Sequence, residues 1–337
     1  MIKRISLYIS IVFFCSYSAD AQDIHFSQYY ASPFNLNPAM TGLYNGSIRT
    51  FGNYRSQWGS VHQPYETYDA GIDFTVPFKS DNFGIGIMAL GDMSGNASLS
   101  VYKFAIFGSY HKTFGPRKRK HIMAIGYYVK YVQKGIDLFN LTFPSQYNGD
   151  IDFDPNLDNG ESYMDNQLGF PDVGLGAYWK MNPKYFPKYS FGFSMYHINL
   201  PKETFLDDKN RLAMRYHLHG DMLLKVKYNR TLTPRMIVMG QNNNYNIIIG
   251  AEYEHFIVNT MKQKTSVYGG AMMRLGDAIV IVGGAEHKNV RLGISYDINI
   301  SELVPASSMF GAIEISLQYI GIFRKFTGVK CPKVPGF

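Results

Sequence analysis

The chain has 337 residues, of which 46 % are hydrophobic and 15 % aromatic, and it carries a formal net charge of +7. Of its two cysteines only Cys331 lies beyond the first 21 residues, which excludes an internal disulfide and a cysteine-built metal site. Beyond those residues no apolar run reaches the roughly 18 residues that a transmembrane helix needs.

Residues 1–21 read as an export signal: Lys3 and Arg4 start it, Leu7 to Phe14 form a short apolar core, and Ala19-Asp20-Ala21 supply the small-residue cleavage site before Gln22. Residues 22–44 follow, rich in aromatics and prolines and poor as a strand. They are expected to form a periplasmic or lumen-inserted segment in which Phe26, Tyr29, Tyr30 and Phe34 pack, and these four are taken as candidate partner-binding residues. From there a period-2 alternation of apolar and polar residues recurs. Fourteen strands are predicted, near 46–58, 66–77, 83–91, 99–112, 121–134, 172–181, 189–199, 214–226, 234–241, 245–257, 266–275, 278–286, 289–299 and 310–323. Most approach the 9–11 residues of a tilted membrane strand. The fold class is therefore all-β: a transmembrane antiparallel barrel over 45–323, with a tail at 324–337. A soluble β-sandwich is the rival that the same alternation allows.

Successive side chains of a strand point to opposite faces. Tyr68, Ala70, Ile72, Phe74 and Val76 thus share a face opposite Asp69, Gly71, Asp73 and Thr75. Met123, Ile125, Tyr127, Val129 and Tyr131 oppose Ala124, Gly126, Tyr128 and Lys130, and Ile313, Ile315, Leu317 and Tyr319 oppose Glu314, Ser316 and Gln318. A charge facing lipid costs about 2–4 kcal/mol at the midplane, so the apolar set is assigned to lipid and the charged set to the lumen. Strands 99–112, 266–275 and 278–286 alternate poorly, and their facing stays open.

An even strand count starting on the periplasmic side makes the connections alternate inside and outside. The inner turns collect Lys79, Lys184, Lys188, Lys227, Arg230, Lys262, Lys264, Lys288 and the run Arg117-Lys118-Arg119-Lys120. The outer loops collect acids, among them Asp92, Asp165, Glu203, Asp207, Asp208, Asp277 and Glu302. A one-signed rim creates a steering field, so Arg117, Lys118, Arg119 and Lys120 are candidate docking residues for an acidic periplasmic partner. Nucleic acid is not expected, since an exported barrel does not meet it.

Four motifs are weighed for chemistry. Asp150, Asp152, Asp154, Asp158 and Glu161 imitate the acidic positions of an EF-hand loop, but Pro155 stands where a glycine should turn, and proline cannot reach positive φ. A looser, weak Ca²⁺ site is what this loop can still offer. His217, His219 and Asp221 share a strand face at metal-ligand spacing, without an identifiable remainder of a ligand set. The glycines of Gly84-Ile85-Gly86 and Gly174-Leu175-Gly176 lie in strands, not before a helix that could cradle phosphate. No serine falls in a nucleophile motif such as G-x-S-x-G. No catalytic set, metal or cofactor is therefore expected, and the chain reads as non-enzymatic.

The stretch from Gln22-Asp23-Ile24-His25-Phe26-Ser27-Gln28-Tyr29-Tyr30 through Pro33-Phe34-Asn35-Leu36-Asn37-Pro38-Ala39-Met40-Thr41-Gly42 resembles the opening of the PorP/SprF family. These are outer-membrane proteins of the type IX secretion and gliding apparatus of Bacteroidetes. The resemblance continues through Asn53-Tyr54-Arg55-Ser56-Gln57-Trp58, Tyr68-Asp69-Ala70-Gly71, Leu141-Thr142-Phe143-Pro144 and Lys330-Cys331-Pro332 with terminal Phe337. It implies an outer-membrane barrel that helps export, or retain at the surface, a dedicated cargo, often a large adhesin with a type B C-terminal domain. It also implies partners in the translocon or in periplasmic motor and peptidoglycan-linked components. The rival function is a diffusion porin or uptake channel for small solutes, whose lumen would be lined by Asp69, Asp73, Lys130, Glu252, Glu254, Arg291 and Glu314.

Overall fold

The computed structural model describes residues 23–60, 63–79, 81–94, 99–115, 121–136, 144–147, 154, 157, 167–181, 187–205, 210–260 and 263–323. Fourteen strands close into one antiparallel barrel. They are β1 (Ile48–Gln57), β2 (Tyr65–Phe78), β3 (Asp81–Ser94), β4 (Leu99–Phe114), β5 (His121–Gly135), β6 (Gln167–Met181) and β7 (Lys188–Tyr196), followed by β8 (Arg215–Lys227), β9 (Arg230–Gln241), β10 (Asn244–Asn259), β11 (Lys264–Arg274), β12 (Ala278–His287), β13 (Val290–Asn299) and β14 (Phe310–Gly321). Each strand pairs with its sequence neighbours, and closure comes from β1 on β14, with Ile48 opposite Gly321 and Gln57 opposite Ala312. Closure removes every edge, so all strands find a partner without water. The strand count and order agree with the alternation. Several strands run longer than the pattern gives: β6 begins at Gln167, and β9 begins at Arg230, directly after a two-residue turn.

Two ends follow from the connectivity. At the terminal end β1 starts and β14 stops; at the loop end lie the connections β5–β6 and β7–β8. Exposed aromatics ring both ends, with Phe78, Phe83, Phe114, Tyr189 and Tyr228 at the terminal end and Tyr65, Tyr245 and Phe310 at the loop end. Such girdles fit the two interfaces of a bilayer.

The outer wall carries the predicted apolar set. On β5, Ile125 is 64 % exposed while its neighbour Ala124 is 2 % exposed. Tyr68, Phe74 and Val76 of β2 and Ile313, Ile315, Leu317 and Tyr319 of β14 also face out, whereas Asp69, Asp73, Lys130 and Glu314 are buried inside. The three poorly alternating strands have the same geometry but an apolar interior. Val101, Ala105 and Phe107 of β4, Tyr268 and Met272 of β11, and Ala278, Val280 and Val282 of β12 all point into the lumen and are buried there. A lumen filled with water would not select such residues; something apolar covers them.

Leu317→Arg should place a charge on the lipid face and lower the barrel's folding free energy by about 2–4 kcal/mol. Gln318→Arg, pointing to the opposite face, should be milder. The folded fraction in urea, read from the electrophoretic shift of the intact barrel, checks this. A silent Leu317→Arg beside a damaging Gln318→Arg would reverse the facing.

Candidate functional site: the lumen and its plug

The cover is the segment before β1. It breaks into three short turns, Tyr29–Ala31, Pro33–Leu36 and Pro38–Met40. Pro33 and Pro38 each start a turn, where the missing N–H costs nothing. Asn37 caps the last turn by accepting the Ala39 N–H at 2.9 Å, and its amide donates outward to the Ala177 carbonyl of β6 at 3.0 Å and the Phe193 carbonyl of β7 at 3.3 Å.

The segment touches the wall on all sides. Phe34 stacks on Phe107 of β4 at 4.2 Å between centroids and meets Phe51 of β1 edge-on at 5.2 Å. Tyr29 and Leu36 join Ile237, Met239, Ile248, Tyr268, Met272, Val280 and Val282 of β9 to β12 in one apolar cluster. Ala39 and Leu43 pack with Ile122, Ala124 and Tyr178 of β5 and β6. The wall makes room for this backbone: a Cβ built on Gly126 of β5 would lie 2.5 Å from the Ala39 nitrogen and the Pro38 carbonyl carbon. Phe26, Tyr29 and Phe34 are thus buried against the barrel, and Tyr30 is half-buried beneath the Arg235 guanidinium, 4.0 Å from its ring centroid. In this conformation most of their surface packs inside the barrel.

Four charged clusters pin the segment. In the first, Glu314 accepts the backbone N–H groups of Ser27 at 2.6 Å and Gln28 at 2.8 Å, and also Arg55. Asp297 beside it accepts the Ser27 hydroxyl at 2.7 Å, Arg274 at 2.7 Å and Arg55 at 3.2 Å. In the second, Asp73 accepts the Gly42 N–H at 2.6 Å and both Nε and Nη2 of Arg49, at 3.0 and 2.7 Å. Arg49 in turn donates to the Met40 carbonyl at 3.0 Å. In the third, Asp69 accepts from Ser32, from Asn35 at 2.8 Å and from Asn53 at 2.6 Å. In the fourth, Asp23 meets His197 at 2.6 Å, Lys103 at 3.2 Å and Arg215 at 3.7 Å. Burial by itself would raise the Asp23 carboxyl; Lys103, Arg215 and His197 outweigh it and hold the group well below the usual carboxylate range.

The lumen-lining residues read from the sequence are engaged in the same way. Lys130 pairs with Asp172 at 2.7 Å, and Glu252 with Arg291 at 2.6 Å and Arg235 at 3.3 Å, while Arg291 also lies 3.6 Å from Glu254. His217 and His219 turn to the segment, contacting the Leu36 carbonyl and the Asn37 amide at 3.2 Å each, while Asp221 accepts from Ser190. Among the described residues no group of three His, Cys, Asp or Glu side chains is arranged to hold a metal. Of the loop's five acids only Asp154 is described, its N–H on the Gln146 carbonyl at 3.0 Å; Asp150, Asp152, Asp158 and Glu161 lie outside the described residues. So do Arg117, Lys118, Arg119 and Lys120. Sequence reasoning missed the roles of Arg49, Arg55 and Ser27, and placed Asp297 on the lumen face without a partner. A faint signal existed: Arg49 and Arg55 sit in phase on the lumen face of β1, and a paired acid inside the barrel is the natural complement.

Comparison with known proteins agrees with this architecture. A family described as type IX secretion system membrane protein PorP/SprF matches residues 18–319. No curated protein matches in sequence. Among solved structures, the CymD monoaromatic hydrocarbon channel aligns with a TM-score of 0.50 at 7 % identity, covering 88 % of this chain and 94 % of its own. The toluene transporter TodX of Pseudomonas putida aligns with a TM-score of 0.49 at 6 % identity, over the same 88 % and 94 %. At such identity the likeness concerns the barrel fold alone.

Proposed function

The chain belongs to the family of type IX secretion system membrane proteins PorP/SprF, and from that premise we propose that it is an accessory barrel of secretion which holds a dedicated exported protein at the outer surface. The cargo is an adhesin-like protein with a type B C-terminal domain, and the translocon or the periplasmic motor and peptidoglycan-linked parts are the further partners. Residues 1–21 are removed on export, the terminal end faces the periplasm and the loop end faces out. The barrel acts by docking, without catalysis.

One observation carries this reading: Asp23–Tyr44 crosses the lumen and is pinned by buried charges on β1, β2, β13 and β14. A polypeptide cargo cannot pass a lumen filled in this way. The outer connections 135–171 and 199–214, with the segment 22–44, are then the surfaces proposed to hold the cargo. There Glu203 is paired with Lys134 of β5, and Leu212 packs on Val101, Val132 and Phe170 over the mouth.

Deletion of the gene, followed by surface proteomics and solute-uptake assays in the same strain, tests the proposal. Loss of one or a few surface proteins with uptake unchanged is the expected result. Normal surface display with impaired uptake would replace secretion by a porin role.

A further inference from the structure

The order in which the plug meets the wall gives it a direction. Gly46 lies against Ile320 and Gly321, the last residues of β14, at the terminal end. Thr41 and Gly42 come next, the Thr41 carbonyl accepting the Ser109 hydroxyl at 2.6 Å and the Gly42 N–H bonded to Asp73. Asn37 spans β6 and β7 near mid-wall. Ser27 reaches Asp297, close to the loop end of β13. Asp23 then meets Arg215, the first residue of β8, and His197, the residue after β7; its N–H is given to Gln241, the last residue of β9, at 3.0 Å. All three belong to the loop end. Asp23 itself is partly exposed there.

We infer that the chain enters its own lumen from the loop end, so that its N-terminal end is presented on the membrane face opposite to the one where β14 finishes. Asp23, the first described residue, thus sits beside Arg215 and Gln241 at the loop end. A strand count alone places the start of β1 and the end of β14 on one side, and it would assign the N-terminal end to that same side. The plug reverses the assignment. On this path the N-terminal end is open to a partner from the loop-end side. Asp23, with Lys103, His197 and Arg215, is the latch at its base. This inference concerns the path of the chain and stands whether or not the barrel serves secretion.

The test uses full-length protein in its own outer membrane, with Cys331→Ser as background. Gln22→Cys reports the N-terminal end, Glu302→Cys the loop end and Lys288→Cys the terminal end; Glu302 and Lys288 are exposed. Membrane-impermeant maleimide is applied to intact and to permeabilised cells. Gln22→Cys is expected to label under the condition that labels Glu302→Cys. Labelling only together with Lys288→Cys would overturn the inference, and so would labelling only after denaturation. A six-residue epitope inserted before Asp23 is the second variant. It should be tolerated and read by antibody on the Glu302 side, and loss of assembly would also count against it, because an end that projects from the mouth accepts added residues. Exchange of sides by both controls would change the orientation proposed for the barrel and leave this inference intact.

Discussion

Glu314→Ala is expected to lower the unfolding free energy of the barrel by about 3–5 kcal/mol, the cost of breaking a buried ion pair from one side. The substitution leaves Arg55, 2 % exposed, with Asp297 as its one remaining carboxylate partner among the described residues. It also strands the backbone N–H groups of Ser27 and Gln28, both of which use Glu314 as acceptor. Each orphaned buried donor costs about 1–3 kcal/mol when taken alone, and within one network these costs overlap and do not add. Glu314→Gln should fall between wild type and alanine, since an amide oxygen keeps one acceptor and loses the charge. Urea titration of the refolded barrel in lipid, followed by the electrophoretic shift, reads the difference. A Glu314→Ala barrel within about 1 kcal/mol of wild type would show that the plug is not held by this cluster.

Gly126→Val should dislodge the plug and spare the wall. The added Cβ meets plug backbone at 2.5 Å, where no side chain can swing away. Overpacking of this kind costs typically about 1–3 kcal/mol. Here the strain has an outlet, because valine is a good strand residue and the plug can leave its seat. The expected result is a barrel that still assembles but conducts ions in planar bilayers, where wild type stays closed. Gly269→Val is the control. Gly269 lies on the outer face of β11, and its Cβ would meet nothing nearer than 3.6 Å, so the same added volume should leave the lumen shut. If Gly126→Val remains as closed and as stable as wild type, the close seating of Pro38–Ala39 on β5 is not what shuts the lumen.

Both outcomes turn on a contrast within the chain. Strand number, order and facing are legible in the sequence because the period-2 alternation is local: residues two apart share a face whatever lies across the barrel. Ile313, Ile315, Leu317 and Tyr319 face lipid on that ground alone, and they are exposed in the fold. The pattern weakens at β4, β11 and β12 for a physical reason, not through irregular geometry. Phe107, Met272 and Val280 face an apolar plug, so both faces of these strands are apolar and hydropathy no longer tells them apart. The path of residues 23–44 was beyond local reading. Aromatics and prolines ruled out a strand, but the seat of the segment depends on partners far along the chain. Ser27 finds Glu314 across 287 positions, and Arg55 finds it across 259. Those pairings exist only once β14 closes on β1, because closure brings the carboxylates of β13 and β14 beside the guanidinium of β1 and around the turns that precede it.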